Sequence, residues 1–133
     1  MHKIDHIAIA VNSLATSIPL FEKLLDTPCY KVEEVASEKV KTAFFQSGES
    51  KIELLEGMDP EGVISKYIHK KGEGIHHIAF AVMDIHEKIK ELKEKGFEFI
   101  NETPKKGADN KWIVFLHPKC TNGVLIELCQ EIS

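Results

Sequence analysis

The first half of this sequence recurs in its second half. Residues 5–11 read Asp-His-Ile-Ala-Ile-Ala-Val, and residues 76–82 read His-His-Ile-Ala-Phe-Ala-Val, 71 positions later. A second pair of strings, Lys-Ile-Glu-Leu-Leu at 51–55 and Leu-Ile-Glu-Leu-Cys at 125–129, lies 74 positions apart because the loop before the later string is longer. A chain that contains two copies of one unit is expected to fold as two similar modules.

Each copy is predicted to form a strand, a helix and three further strands, the last two joined as a hairpin. Asp84 and Glu87 form a capping box for the second helix, and Gly96 suits the position after its end. Pro19 favours a start of the first helix near Ser17. The hydrophobic periodicity predicts strands at about 3–11, 28–35, 39–47 and 51–56 with a helix at about 14–25, then strands at about 75–83, 97–101, 111–117 and 124–130 with a helix at about 85–95.

The 133 residues are expected to form a single α+β domain, because 43% of them are hydrophobic and can bury one core. Module one is predicted at 1–56, a connector with a short helix at 57–73, and module two at 74–133. No apolar stretch approaches the ~18 residues of a membrane span, and the N-terminus has no signal core, so a cytoplasmic location is expected. The three cysteines are expected to be free thiols, and His2 is expected on the surface.

The charge pattern argues against nucleic acid as a partner. The net charge is -4, and the lysines are scattered among acidic residues. The chain contains no arginine, so an anionic group on a substrate must be met by lysine, by backbone amides or by a metal ion.

Four polar residues occupy matched positions in the two copies. His6 and His77 each share a predicted strand face with two alanines, which leaves space for a pocket, while large apolar residues take the opposite face. Glu53 and Glu127 are likewise separated by strand alternation from their apolar neighbours, and a buried carboxylate is costly unless it is paired or bound to a metal. One such residue would usually be structural, but the recurrence of both types in both copies favours a shared metal site.

Two histidines and two glutamates suit one divalent ion such as Co, Mn, Ni or Zn. Six-coordinate geometry leaves two positions for a substrate with two nearby oxygens, whose enolate the ion would stabilise as a Lewis acid. A glutamate loosely held by the ion could remove the proton alpha to the carbonyl.

Five strings are spread along the chain: 3–11, 51–55, Gly-Glu-Gly-Ile-His-His-Ile-Ala-Phe at 72–80, Phe-Leu-His-Pro-Lys at 115–119 and Gly-Val-Leu-Ile-Glu-Leu at 123–128. With them the sequence resembles a known superfamily, the vicinal oxygen chelate (glyoxalase/bleomycin resistance/dioxygenase) proteins, over nearly the whole chain. The resemblance implies an open, incompletely closed β-barrel around a metal site formed by His6, Glu53, His77 and Glu127, and a homodimer. Within the superfamily the sequence is most similar to the methylmalonyl-CoA epimerases, which implies an acyl-CoA substrate and a role for Glu127 as a base.

The chain departs from this resemblance at one position. Some epimerases of the family have a second glutamate where this sequence has Thr42. Epimerisation removes a proton on one face of a carbon and delivers one on the other, so a second acid or base is needed. Glu53 is the first candidate for this role, and His117 and Lys119 are the candidates behind it. His117 and Lys119 are also expected to bind the substrate.

Two other functions are compatible with the same residues. The sequence also resembles glyoxalase I (lactoylglutathione lyase), which would act on a glutathione hemithioacetal, although the lack of arginine removes a common partner for glutathione's carboxylates. A non-catalytic protein of this fold could instead sequester a small molecule, but such proteins can dispense with the metal. A dioxygenase with two histidines and one carboxylate on iron fits less well, because four ligands are predicted here.

Overall fold

The computed structural model describes residues 3–133, so His2 lies outside the described part of the chain. The chain divides into two compact units, an N-terminal unit of His6–His76 and a C-terminal unit of residues 77–133 together with residues 3–5. The elements in chain order are β1 (Lys3–Ala10), α1 (Leu14–Leu25), β2 (Lys31–Val35), β3 (Val40–Ser47), β4 (Ser50–Gly57), α2 (Val63–Lys71), β5 (Gly74–Ala81), α3 (Ile85–Glu94), β6 (Lys105–Gly107), β7 (Lys111–Phe115) and β8 (Ile126–Glu131).

In the N-terminal unit the strands lie in the order β2-β3-β4-β1. Strand β1 pairs parallel with β4, whereas β2, β3 and β4 pair antiparallel. Helix α1 covers the face of this sheet that carries the large apolar side chains. Its core contains Val11, Leu14, Ala43, Phe45 and Leu54.

The C-terminal unit repeats this arrangement with the strand order β5-β8-β7-β6. Strand β5 pairs parallel with β8, and β6, β7 and β8 pair antiparallel. Helix α3 packs its apolar side chains onto one face, and the core there consists of Val82, Ile85, Ile89, Leu92, Val114, Leu116 and Leu128. The same strand pairing therefore occurs in both units, as the internal repeat predicts.

Helix caps explain where the two main helices begin. The side chain of Ser13 accepts a hydrogen bond from the backbone N–H of Thr16 at 3.3 Å, and α1 starts at Leu14, so the expected start near Ser17 is wrong. Pro19 is accommodated inside the helix. Asp84 caps α3 in the same way, accepting from the N–H of Glu87 at 3.1 Å.

Two predicted strand positions differ from the structure. The segment predicted as a strand at 97–101 forms only an isolated bridge between Phe99 and Leu116. The strand that pairs with β7 is β6, Lys105–Gly107, which periodicity did not indicate because it is only 3 residues long. Gly107 sits close to Ile113 of β7, where a Cβ atom would meet the Ile113 side chain at 2.7 Å, so glycine permits this close approach.

No helix in residues 3–133 is long and apolar enough to cross a membrane.

Candidate metal and active site

The N-terminal unit contains one buried pair of a histidine and a glutamate. The Nδ1 atom of His6 lies 3.2 Å from Oε2 of Glu53, and both side chains are buried. Glu53 is flanked in the sheet by Ala8 of β1 and by Phe44 of β3. Because paired residues point to the same side of a sheet, these side chains share the face that α1 does not cover.

The C-terminal unit contains a second pair of the same kind. The Nε2 atom of His77 lies 3.3 Å from Oε1 of Glu127, and both side chains are again buried. Glu127 is flanked by Ala79 of β5 and by Phe115 of β7. The Phe115 ring meets the His77 ring edge to face, with 5.4 Å between the ring centroids.

The two pairs are thus built from equivalent residues of the repeat. Each glutamate lies between an alanine on the parallel strand and a phenylalanine on the antiparallel strand, and Phe44 and Phe115 are 71 positions apart. The structure places the four predicted residues in two His–Glu pairs, one in each unit.

The donor atoms of each pair fit a divalent metal ion. Ions such as Zn²⁺ bind imidazole nitrogen and carboxylate oxygen at about 2.0–2.2 Å. Two ligands at that length and at right angles to each other are separated by about 3.0 Å, and by about 3.4 Å at the tetrahedral angle. The observed nitrogen–oxygen distances of 3.2 and 3.3 Å fall between these values. Each pair therefore offers one nitrogen and one oxygen that the same ion could bind.

Contrary to the expectation from the sequence, the alanines beside the histidines do not border open space. Ala8 and Ala10 are fully buried and pack with Leu55 and with Ile64 of α2. Ala79 packs with neighbouring side chains of β7 and β8. The expectation that these alanines leave room for a pocket is wrong in the N-terminal unit, because α2, from the predicted connector, covers this part of the face.

Thr42 lies on the same face as Glu53 and is buried, with 1% of its surface exposed. Its Oγ1 atom has no hydrogen-bond partner and is the one buried side-chain oxygen or nitrogen in residues 3–133 of which this is true. An unpaired buried hydroxyl costs roughly 1–3 kcal/mol. Thr42, at the position where some epimerases have a glutamate, therefore has an unused hydrogen-bonding group on the same sheet face as Glu53.

His117 and Lys119 lie in the loop that follows β7, and both are exposed. The Nδ1 atom of His117 accepts a hydrogen bond from the N–H of Lys119 at 3.2 Å. The Nζ atom of Lys119 lies 3.0 Å from a carboxylate oxygen of Glu98. Their side chains are accessible to a ligand, and their predicted role in binding the substrate stays a prediction.

A buried ion pair in the C-terminal unit was not predicted. Lys111 Nζ donates to Oδ1 of Asp5 at 2.8 Å. On β7, alternation sets Lys111 on the same face as Ile113 and Phe115, and therefore on the face of Glu127. This alternation could have indicated an inward lysine, but the sequence contains no sign of its partner 106 positions away.

Cys129 also lies on this face and is buried, with 1% of its surface exposed. Burial raises the pKa of its thiol far above the ordinary value, and the nearby negative charges of Asp5 and Glu127 raise this pKa further. A protonated thiol is a poor metal ligand and nucleophile, so Cys129 is best explained as a small buried side chain.

Sequence comparison identifies the family. Residues 5–115 match the model of the glyoxalase/bleomycin resistance protein/dioxygenase superfamily. The chain belongs to this superfamily. The predicted membership in the vicinal oxygen chelate proteins is thereby confirmed.

Relatives within the superfamily include epimerases. The chain is 38% identical over 130 residues to the uncharacterized protein YqjC of Bacillus subtilis, covering 98% of this chain and 93% of the relative. It is 38% identical over 127 residues to the mitochondrial methylmalonyl-CoA epimerase of Dictyostelium discoideum, covering 95% of this chain and 76% of the relative.

A solved structure is similar over almost the whole chain. It is a variant of the Streptomyces coelicolor methylmalonyl-CoA epimerase in complex with 2-nitronate-propionyl-CoA, which is 29% identical, covers 98% of this chain and 95% of its own, and superposes with a TM-score of 0.90. The predicted α+β fold class, two tandem βαβββ modules, is confirmed.

Proposed function

We propose that this protein is a metal-dependent epimerase that moves the proton alpha to the thioester carbonyl of methylmalonyl-CoA. The observation that carries the proposal is the recurrence of a buried His–Glu pair in both units. Its support in the superfamily is the similarity to methylmalonyl-CoA epimerases, one of them solved with an acyl-CoA compound bound.

His6, Glu53, His77 and Glu127 are proposed to bind one divalent ion, Co, Mn, Ni or Zn. Such an ion, when bound, supplies a Lewis acid that stabilises negative charge on oxygens of the substrate. The burial of all four side chains supports the proposal, because a carboxylate is retained away from water only with a compensating partner.

The acid–base chemistry is proposed to depend on the glutamates. Glu127 would remove the alpha proton on one face of the carbon, and the carboxylate that acts on the other face would deliver a proton. Glu53 is the candidate from sequence for this second role. His117 and Lys119, both exposed, are proposed to contact the substrate from the loop after β7. A homodimer and a cytoplasmic location are proposed from the sequence alone.

The proposal is tested by hydrogen exchange at the alpha carbon. The full chain, loaded with Co²⁺ or Mn²⁺, is incubated with each epimer of methylmalonyl-CoA in deuterium oxide, and deuterium content and configuration are followed by mass spectrometry and chiral chromatography. We expect both exchange and inversion, and loss of both in H77A.

A parallel assay with the glutathione hemithioacetal of methylglyoxal separates the proposal from glyoxalase activity. Turnover of the hemithioacetal without exchange of methylmalonyl-CoA would assign the protein to glyoxalase I chemistry. Inactivity toward both substrates would favour a sequestering protein.

A further inference from the structure

The second acid–base residue is unassigned by the resemblance, because Thr42 stands where some epimerases have a glutamate. Glu53 is poorly suited to the role. Its carboxylate lies 3.2 Å from His6, is almost fully buried, and on the proposed function is also a metal ligand. A carboxylate held by a histidine and a metal ion has little freedom to approach a carbon. Glu127, the proposed first base, is held in the same way, so a second carboxylate outside the metal site would give the reaction one acid–base group that is not also a ligand.

Strand register identifies such a carboxylate. In the antiparallel pairing of β2 with β3, Glu33 lies directly opposite Thr42. Residues opposite each other in a sheet point to the same side, with Cα atoms about 4.5–5.5 Å apart. Glu33 therefore extends over the same face as Thr42 and Glu53, one strand beyond the position where the family's glutamate would be.

Exposure along β2 agrees with this assignment of faces. Lys31, Glu33 and Val35 are half-buried, whereas Val32 and Glu34 are exposed. This alternation is the pattern of a strand with one face toward the protein and one toward solvent. Of the two neighbouring glutamates on β2, Glu33 thus points toward the protein and Glu34 points toward solvent.

The carboxylate of Glu33 lies beside a lysine and is partly exposed to water. Its Oε1 atom lies 3.6 Å from Nζ of Lys31, which itself sits 4.5 Å above the ring centre of Phe44. The Glu33 side chain is 34% exposed, so it can exchange protons with water between turnovers.

Thr42 offers a second observation that points to a ligand on this face. Its buried hydroxyl lacks a hydrogen-bond partner and lies across the strand pair from Glu33. A hydroxyl can donate to a carboxylate or to a substrate oxygen. A Glu33 carboxylate turned inward, or an oxygen of a bound substrate, would supply the missing partner.

We infer that Glu33 is the second catalytic carboxylate of the proposed epimerase, acting at the alpha carbon from the side of β2. The inference rests on the proposed function. One carboxylate takes the alpha proton, the electron pair of the broken C–H bond moves onto the thioester carbonyl, and the resulting enolate receives a proton from the other carboxylic acid on its opposite face. No oxidant or further reactant is needed, and both carboxyl groups return to their starting states by exchange with water.

The test compares the wild-type protein with the variants E33Q and E34Q, each as the metal-loaded full chain. E34Q is the matched control, because Glu34 lies on the outward face of the same strand. Each epimer of methylmalonyl-CoA is incubated separately in deuterium oxide, and inversion and alpha-deuterium exchange are measured independently. We expect inversion by E33Q to fall at least about 100-fold, the lower range for loss of an acid–base group. One epimer should still exchange its alpha proton with retention of configuration, because the remaining carboxylate is intact.

Metal content and the E34Q control complete the test. We expect E33Q to bind as much metal as wild type and E34Q to invert at the wild-type rate. Inversion by E33Q within about threefold of wild type would overturn the inference, and so would loss of exchange from both epimers or loss of metal, since these results indicate a structural role. A wild-type protein that neither exchanges nor inverts methylmalonyl-CoA would instead overturn the proposed function, and the inference with it.

Discussion

The Nζ atom of Lys111 lies 2.8 Å from Oδ1 of Asp5, and both side chains are buried although 106 positions separate them in the chain. Burial of two charges is costly unless each compensates the other, and removal of one partner leaves the other charge uncompensated. The pair therefore attaches the start of β1 to β7 within the C-terminal unit. Substitution of either residue measures how much this ion pair contributes to stability.

We expect Lys111→Met to lower the free energy of unfolding by about 3–5 kcal/mol, because it leaves the Asp5 carboxylate buried without its cation. Equilibrium unfolding in urea, monitored by circular dichroism, measures the change. Lys106→Met, at an exposed lysine of β6, is the control and should change stability by less than about 0.5 kcal/mol. The double variant Asp5→Asn with Lys111→Met should recover part of the loss. Equal stability of Lys111→Met and wild type would show that the pair contributes nothing net.

We expect the protein to bind about one divalent ion per chain, because the sequence predicts that the two His–Glu pairs share an ion. Metal analysis after removal with a chelator and reloading with Co²⁺ or Zn²⁺ measures the stoichiometry. His77→Ala should weaken binding by at least about 10–100-fold, the loss that even an outer hydrogen-bond partner of a ligand causes.

His86→Ala is the matched control for metal binding, since His86 is an exposed histidine of α3. It should bind the metal as wild type does. Undiminished binding by His77→Ala would remove His77 from the ligand set.

We expect Cys129 to react with iodoacetamide on the order of 100-fold or more slowly than Cys120 in the folded protein, because burial keeps its thiol protonated and inaccessible. The thiolate is the reactive form, and a raised pKa keeps its fraction small, so an increase from pH 7 to pH 9 should leave Cys129 slow. Mass spectrometry of peptides from labelled protein measures each site. Unfolding in guanidinium should make all three cysteines reactive. Rapid labelling of Cys129 in the folded state at pH 7 would contradict its burial.

We expect Asp84→Ala to lower the free energy of unfolding by about 1 kcal/mol, because it removes the side-chain oxygen that accepts the N–H of Glu87 at the start of α3. Asp84→Asn retains such an oxygen and should lose little. Urea unfolding of both variants makes the comparison. A loss as large in Asn as in Ala would assign the effect to the charge of Asp84 rather than to the cap.

Local pattern accounts for much of the candidate site. The repeat, with an offset of 71 for the histidine strings and 74 for the glutamate strings, predicted that Glu53 and Glu127 would have equivalent surroundings. Strand alternation placed each on the face of its histidine. Helix α3 was also predictable, because Asp84 and Gly96 mark its two ends with short-range signals. These features depend on residues a few positions apart or on the two copies being alike.

The sequence by itself therefore determined the two βαβββ modules, the inward faces of their strands and the residue types of both His–Glu pairs. Only the tertiary structure decided that Ile64 of α2 covers Ala8 and Ala10, that Lys111 meets Asp5, and that Glu33 lies opposite Thr42. The physical reason is that side-chain periodicity is a property of the local backbone. Strand register and long-range ion pairs depend instead on how distant segments pack, which no local pattern encodes.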